Sequence, residues 1–304
     1  SMTKSTLPAI LQHLDELTYA EMKRLKHTVD RHVAMNQVGE IITQREESVC
    51  ECPHCSSPDF SRWGFTKQGL QRYKCKDCSR TFNPLNGTPL HRMRKGDKWI
   101  KYSKLMWQGA PLRRCAKEVG VSLRTAFRWR HVLLSKPNNA LIAPLSGVIE
   151  ADETFINKSL KGKKLPLSEQ LSRRPQTPIL IAMNRDGAII HEVVERNTKE
   201  NISNFLRPMI TDGSVLCTDG NLSYLSVVKD RYIDHKRVVA IDNVRVIDGV
   251  YHIQNLNNYI MRLKAWLSRF KGVSIDYLPN YLSWFRFMDQ NEETDQKWLH
   301  YALN

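Results

Sequence analysis

Four cysteines at metal-ligand spacing are the strongest chemical signal in this sequence. Cys52-x2-Cys55 is followed, after 19 intervening residues, by Cys75-x2-Cys78. Two such knuckles on adjacent hairpins can place four thiolates around one tetrahedral zinc ion, each about 2.3 Å from the metal. With four thiolates the tetrahedron is complete, so the expected metal is structural, one per chain. Redox or incidental CxxC pairs are the alternative reading. Cys50 and His54 read as bystanders, and Cys115 and Cys217, in apolar contexts, as buried thiols. A second set of residues is scattered. Asp152 lies within the apolar run Val-Ile-Glu-Ala-Asp-Glu-Thr-Phe-Ile, and Asp219 ends another, Val-Leu-Cys-Thr-Asp-Gly. A carboxylate at the end of a buried strand is costly unless a cation or hydrogen bonds satisfy it. Two of them on neighbouring strands suggest ligands for a hard metal ion. Asn257 and Lys264 add to the set, because residues seven apart on a helix fall within roughly 20° of each other. The apolar residues Ile253, Leu256, Ile260, Leu263 and Leu267 mark a buried stripe beside them.

Charge points to the class of partner. The 304 residues carry 46 Lys and Arg against 31 Asp and Glu. Residues 61–136 hold 19 basic and 3 acidic residues, a net of +16, so one window accounts for the whole excess. A block of this kind reads as a phosphate-binding surface, and nucleic acid is the expected partner. Within it, Leu112–Val119, a Gly120 turn and a helix from Ser122 read as a helix-turn-helix with Ser122 as N-cap. Arg113, Arg114, Arg124, Thr125, Arg128 and Arg130 are its candidate DNA contacts. A Lys-rich loop at 157–176 adds Lys161, Lys163 and Lys164.

The elements that must position these groups follow from periodicity and punctuation. Residues 6–36 read as helical, with Thr18 and Glu21 forming a capping box, and 37–49 as a linker. The texture then gives a cysteine module at 50–83, a helical module at about 97–136 and a Pro/Asn/Ala-rich joint at 136–146. From Gly147 strands and helices alternate. Strands are expected at 148–156, 178–185, 188–195, 214–218 and near 237–241, and helices at 198–210, 221–229, 252–270 and 275–289. The fold class is therefore multidomain α/β, with segments 1–49, 50–83, 97–136, 147–290 and a tail at 291–304. Apolar runs are too short to cross a bilayer, and an N-terminal h-region is missing, so no membrane partner and a reducing cytoplasmic setting are expected.

The order cysteine ribbon, helix-turn-helix, Glu-x-Asp-Glu-Thr strand, Thr-Asp-Gly strand and a helix opening His-Ile-Gln-Asn-Leu-Asn-Asn resembles bacterial insertion-sequence transposases of the DDE superfamily. It is most similar to the ISXO2-like group, kin to the eukaryotic Merlin elements, whose third acid is often Asn. The stretches Arg262–Leu267 and Tyr277–Leu282 share the likeness, which spans about residues 50–290. The resemblance implies an RNase H-like catalytic domain over 147–290 with Asp152, Asp219 and Asn257 as its triad and Lys264 as the basic residue beside it. It further implies two Mg²⁺ (or Mn²⁺) ions per active site, terminal inverted repeats and target DNA as substrates, and a homodimer or higher homo-oligomer on DNA in a bacterial nucleoid. The group often carries His three residues after its Asn, where this chain has Ile260. A catalytically silent DNA-binding regulator and a nuclease without strand transfer are the alternative functions.

Overall fold

The computed structural model describes residues 8, 11–67, 69–91, 93–134, 143–159, 175–239, 246–292 and 299. The chain divides into two compact units, one of Ser1–Gln108, Leu112–Leu133 and Thr294–Asn304, the other of Gly109–Pro111 and Leu134–Glu293.

The first unit opens with a 29-residue helix, α1 (Tyr19–Glu47), started by the expected capping box. The Thr18 side chain accepts from the Glu21 N–H, and the Glu21 carboxylate accepts from the Thr18 N–H. The linker expected at 37–49 is instead the end of this helix. Val38 and Ile41 are buried, and Tyr73 donates to Glu46 at 2.9 Å, so packing holds the chain helical where composition suggested a break. Strands β1 (Phe60–Phe65), β2 (Gln71–Cys75) and β3 (Thr81–Phe82) form an antiparallel sheet in that order. Its small core is Cys52, Tyr73, Cys75 and Phe82, with the Tyr73 and Phe82 rings stacked at 5.4 Å. Three helices follow: α2 (Trp99–Trp107), α3 (Leu112–Val119) and α4 (Leu123–Leu133).

The second unit is a five-stranded mixed sheet covered by helices. Its strands are β4 (Val148–Asn157), β5 (Gln176–Asn184), β6 (Ile189–Val193), β7 (Val215–Thr218) and β8 (Asp234–Arg237), in the order β6-β5-β4-β7-β8. The first three pair antiparallel, whereas β7 and β8 run parallel to β4. Helices α5 (Lys199–Leu206) and α6 (Leu225–Val228) cover one face. There Ile149, Ala151 and Leu216 pack with Ile202, Phe205 and Val227. Helices α7 (Gln254–Ser268) and α8 (Leu278–Asp289) follow, α7 packing on β4 and α8 on β6. Between them lies an aromatic cluster in which the Trp266 and Trp284 rings meet edge to face at 4.8 Å. Among the described residues, no helix is long and apolar enough to cross a membrane.

Candidate functional site

Strand geometry brings the two aspartates together. Parallel pairing sets Val148 opposite Val215, Ile149 opposite Leu216 and Glu150 opposite Cys217. Asp152 and Asp219 each lie two residues beyond the Glu150–Cys217 pair, in the same direction along the two parallel strands. Side chains alternate along a strand, so Glu150, Asp152 and Thr154 share one face while Ile149, Ala151 and Glu153 share the other. Burial pushes the Asp152 carboxyl up to about 6, and the negative charges of Asp219 and Glu153 add to the rise. The Glu153 N–H, 2.8 Å from its Oδ1, and the Lys264 ammonium pull the other way. The charges of Asp219 and Lys264 therefore both act on Asp152. A carboxylate that holds its proton this strongly, beside a second one, is a receptive place for a divalent cation.

Each member of the constellation is fixed by its own surroundings. The Asp219 carboxylate accepts from the Asn221 N–H at 3.0 Å across Gly220. Gly220 has φ +98°, and a Cβ there would lie 2.9 Å from Val239 Cγ2, so the turn admits no side chain. Asn257 lies in the first turn of α7, whose buried residues are Leu256, Tyr259, Ile260, Leu263, Trp266 and Leu267. Asn257 and Lys264 are both exposed on the edge of that stripe.

Two carboxylates that the sequence reading passed over anchor this arrangement. Glu150 is buried, and its Oε2 accepts the Leu256 N–H at 2.8 Å, tying the first turn of α7 to β4. Its Oε1 meets Arg185 at 3.0 Å and His252 at 3.6 Å, and Arg185 also donates to the Val250 carbonyl at 3.0 Å. On the opposite face Glu153 accepts from Asn197 and Asn221, both at 2.8 Å, and from the Tyr224 hydroxyl at 2.6 Å. Burial, and then the Glu153 charge, hold the Tyr224 phenol well above its ordinary range. The available signal was the density of acids in one strand: Glu150, Asp152 and Glu153 fall within four residues of an otherwise apolar run.

In the first unit the Cys52, Cys55, Cys75 and Cys78 sulfurs lie within 4.8 Å of one another and could hold a metal ion. The Cys52–Cys78 and Cys55–Cys75 Sγ distances are 3.8 and 3.6 Å. A tetrahedron with 2.3 Å metal–sulfur bonds has edges of ~3.8 Å, so the donor set fits zinc. Backbone N–H groups point at the sulfurs, His54 at Cys52 (3.4 Å) and Cys78 at Cys75 (3.5 Å). The Cys78 N–H is the main cause that draws the Cys75 thiol down to about 7. Cys115 and Cys217 are buried thiols.

Helices α3 and α4 are joined through Gly120 at φ +68°, and the Thr125 N–H donates to Ser122 Oγ at 3.1 Å. Arg113, Arg114, Arg124 and Arg128 are exposed, and Thr125 is partly so. Arg114 is held by Glu118 at 2.6 Å. Arg130 corrects its sequence assignment as a DNA contact. It is fully buried, with its guanidinium 3.4 Å from Cys115 Sγ, and cannot reach a phosphate. Ala126, Trp129, Arg130 and Leu133 recur at helical spacing and form the buried face of α4. Lys161, Lys163 and Lys164 lie outside the described residues.

A mixed α/β unit with one aspartate within its central strand and a second just past the end of the neighbouring strand is the class defined by this geometry. Over residues 144–290 the chain matches the ISXO2-like transposase domain. It is 28% identical over 284 residues to an uncharacterized protein in the transposable element ISH50 of Halobacterium salinarum, a match covering 87% of this chain and 92% of that one. A crystal structure of a pre-cleavage Mos1 transpososome is also matched, at 12% identity over 64% of this chain and 79% of that one. Its TM-score is 0.23, too low for fold or function to follow from it.

Proposed function

We propose that this chain is an insertion-sequence transposase that binds terminal inverted repeats and cuts and joins DNA strands at a site built from Asp152, Asp219 and Asn257. The observation that supports this reading is the parallel β4–β7 pairing, beyond whose Glu150–Cys217 pair Asp152 and Asp219 each lie two residues on, with α7 tied to β4 through Glu150. In this reading the sheet of 147–290 is RNase H-like. Asp152 and Asp219, with the Asn257 side-chain oxygen, would hold two Mg²⁺ (or Mn²⁺) ions, which would supply Lewis-acid stabilisation and an activated water or 3′-hydroxyl. Asn257 is a neutral ligand, so substrate phosphates would complete more of the coordination than with an acid there. Lys264 would hold a phosphate of the strand beside Asp152.

DNA recognition falls to the basic first unit. The α3–turn–α4 pair acts as a helix-turn-helix, with Arg124 and Arg128 one turn apart toward the groove and Arg113 and Thr125 in support. Lys161, Lys163 and Lys164 belong to the proposed DNA contacts as well. One structural zinc per chain holds the ribbon. The chain works as a homodimer or higher homo-oligomer on nucleoid DNA in a bacterial cytoplasm.

The test is a cleavage and joining assay on a labelled duplex carrying the element's inverted repeat, with Mg²⁺ or Mn²⁺, beside a binding titration. The expected result is metal-dependent cutting and joining by the parent protein. Asp152→Ala should abolish both and leave affinity nearly unchanged, and Asn257→Asp should retain or alter activity rather than abolish it. Cutting without joining points to a nuclease, and binding without cutting to a regulator. An Asp152→Ala protein that cuts at the parental rate overturns the site.

A further inference from the structure

A cleft of about 580 Å³ opens between the end of β4 and the end of α7. Its lining includes the lysines Lys158, Lys264 and Lys271 and, among the described residues, holds no acidic one, although β4 behind it is rich in acids. All three lysines are exposed. The rest of the lining mixes polar residues, Asn157, Ser159 and Ser268, with apolar ones that include Leu267, Val273 and Phe155, the last 41% exposed. Gly272 closes one corner at φ +100°, and a Cβ there would lie 3.2 Å from Ser159 Oγ.

The cleft is connected to the acid pair. Lys264 lines it and also acts on the Asp152 carboxyl. Asn257 and Lys264, seven apart, fall on one edge of α7, and Lys271, beyond its last turn at φ +53°, lines the cleft together with Lys264. Seven residues rise ~10.5 Å along a helix. A line of groups therefore leaves the aspartates, turns cationic at Lys264 and ends in a concave site with an aromatic ring in its wall.

Cations along a groove with an aromatic wall suit an unpaired nucleic-acid strand, whose phosphates meet the lysines and whose base lies on the ring. The volume is that of a small-ligand pocket, too small for a duplex. We propose that this cleft binds one or two unpaired nucleotides of the DNA strand that continues past Asp152 and Asp219, with Lys158 and Lys271 on phosphates and Phe155 against a base. The inference rests on the transposase reading for the choice of DNA, and it adds a place where the strand must leave the duplex.

The test uses the full chain and an inverted-repeat duplex extended by four unpaired nucleotides, iododeoxyuridine replacing each in turn for photo-crosslinking. The expected adduct is on Phe155, and its yield should fall about tenfold in Lys158→Ala/Lys271→Ala with little change in affinity for the fully paired duplex. Loss of two lysine–phosphate contacts should also lower the salt slope for an unpaired oligonucleotide by about 1.4. Thymidine monophosphate at millimolar concentration should not displace the adduct, whereas displacement would mark a free-nucleotide pocket and overturn the strand assignment. Adducts confined to residues 61–136, or a double variant that crosslinks at Phe155 as the parent does, would overturn the proposal. The outcomes separate the two readings. A protein that crosslinks at Phe155 but never cuts keeps this site and loses the transposase mechanism, and one that cuts without this adduct does the reverse.

Discussion

Glu150 and Asp152 sit two residues apart on one face of β4, and their surroundings give them different tasks. Asp152 is left with neighbouring negative charge and a raised proton affinity, the condition in which a cation is welcome. Glu150 is spent on Arg185 and the Leu256 N–H, the condition in which a carboxylate holds structure. Removing it leaves a partly buried guanidinium and a helix N–H without their acceptor, and the cost of such a loss is about 2 kcal/mol or more. Glu150→Ala should therefore lower the thermal midpoint of the second unit and slow strand cleavage by letting Asn257 drift. Glu150→Gln, which keeps an oxygen for Leu256, should restore more of the cleavage than of the stability. Thermal melts beside cleavage rates check this, and a Glu150→Ala protein with parental melting and parental rate contradicts it. At this scale the sequence was legible where a residue type was rare for its setting. Asp152 inside an apolar strand stood out. Arg130 misled because its charge drew notice, while its spacing from Ala126 and Leu133, the feature that buries it, was the better guide.

Elements were read more reliably than single side chains. The strands and helices of the second unit fall within a few residues of the positions that alternation and helical periodicity gave, because one face of each packs on a core and the pattern records it. The end of α1 did not show, since residues 37–47 are held helical by contacts with Gly96 and the ribbon that lie far away in sequence. Sheet order was equally silent: nothing local says that β7 pairs beside β4, and that pairing is what brings Asp152 and Asp219 to the same end of one ladder. The strand β6 carries its own prediction. His191 is buried within it, and burial, with Arg286 nearby, holds its imidazole down to about 3. Above about pH 6.5 the imidazole is neutral in both folded and unfolded chains, so it leaves stability unchanged. Below that the unfolded chain takes up a proton that the folded one refuses, and this group removes about 1.4 kcal/mol per pH unit until the pH nears the folded value. Acid unfolding between pH 6 and 4 should accordingly be shallower in His191→Gln than in the parent, followed by circular dichroism. Parallel pH profiles for the two proteins would show that His191 is not the titrating group.

Along the sequence, the basic window and the cysteine set both precede the acid pair. The excess of +16 lies in residues 61–136, and the 168 residues after it carry 21 basic and 19 acidic residues. In the proposed function, affinity for DNA and chemistry on DNA thus fall to different units. The cysteine ribbon has only four buried residues at its centre, two of them thiols of the metal set. So small a core does not hold three short strands together without a cross-link, which a metal ion on the four thiolates would supply. The sheet of the second unit is built on aliphatic and aromatic packing and needs no such help. Removing zinc with a chelator should therefore abolish the structure of the ribbon and the high-affinity binding of duplex DNA, while the second unit keeps its own melting transition. Calorimetry with and without chelator, beside a metal count near one zinc per chain, measures this directly, and Cys75→Ser should reproduce the chelated state. A chelated protein whose two transitions fall together would mean that the units stabilise each other. One that binds DNA as before would remove the ribbon from recognition and leave the task to the helices at 112–133.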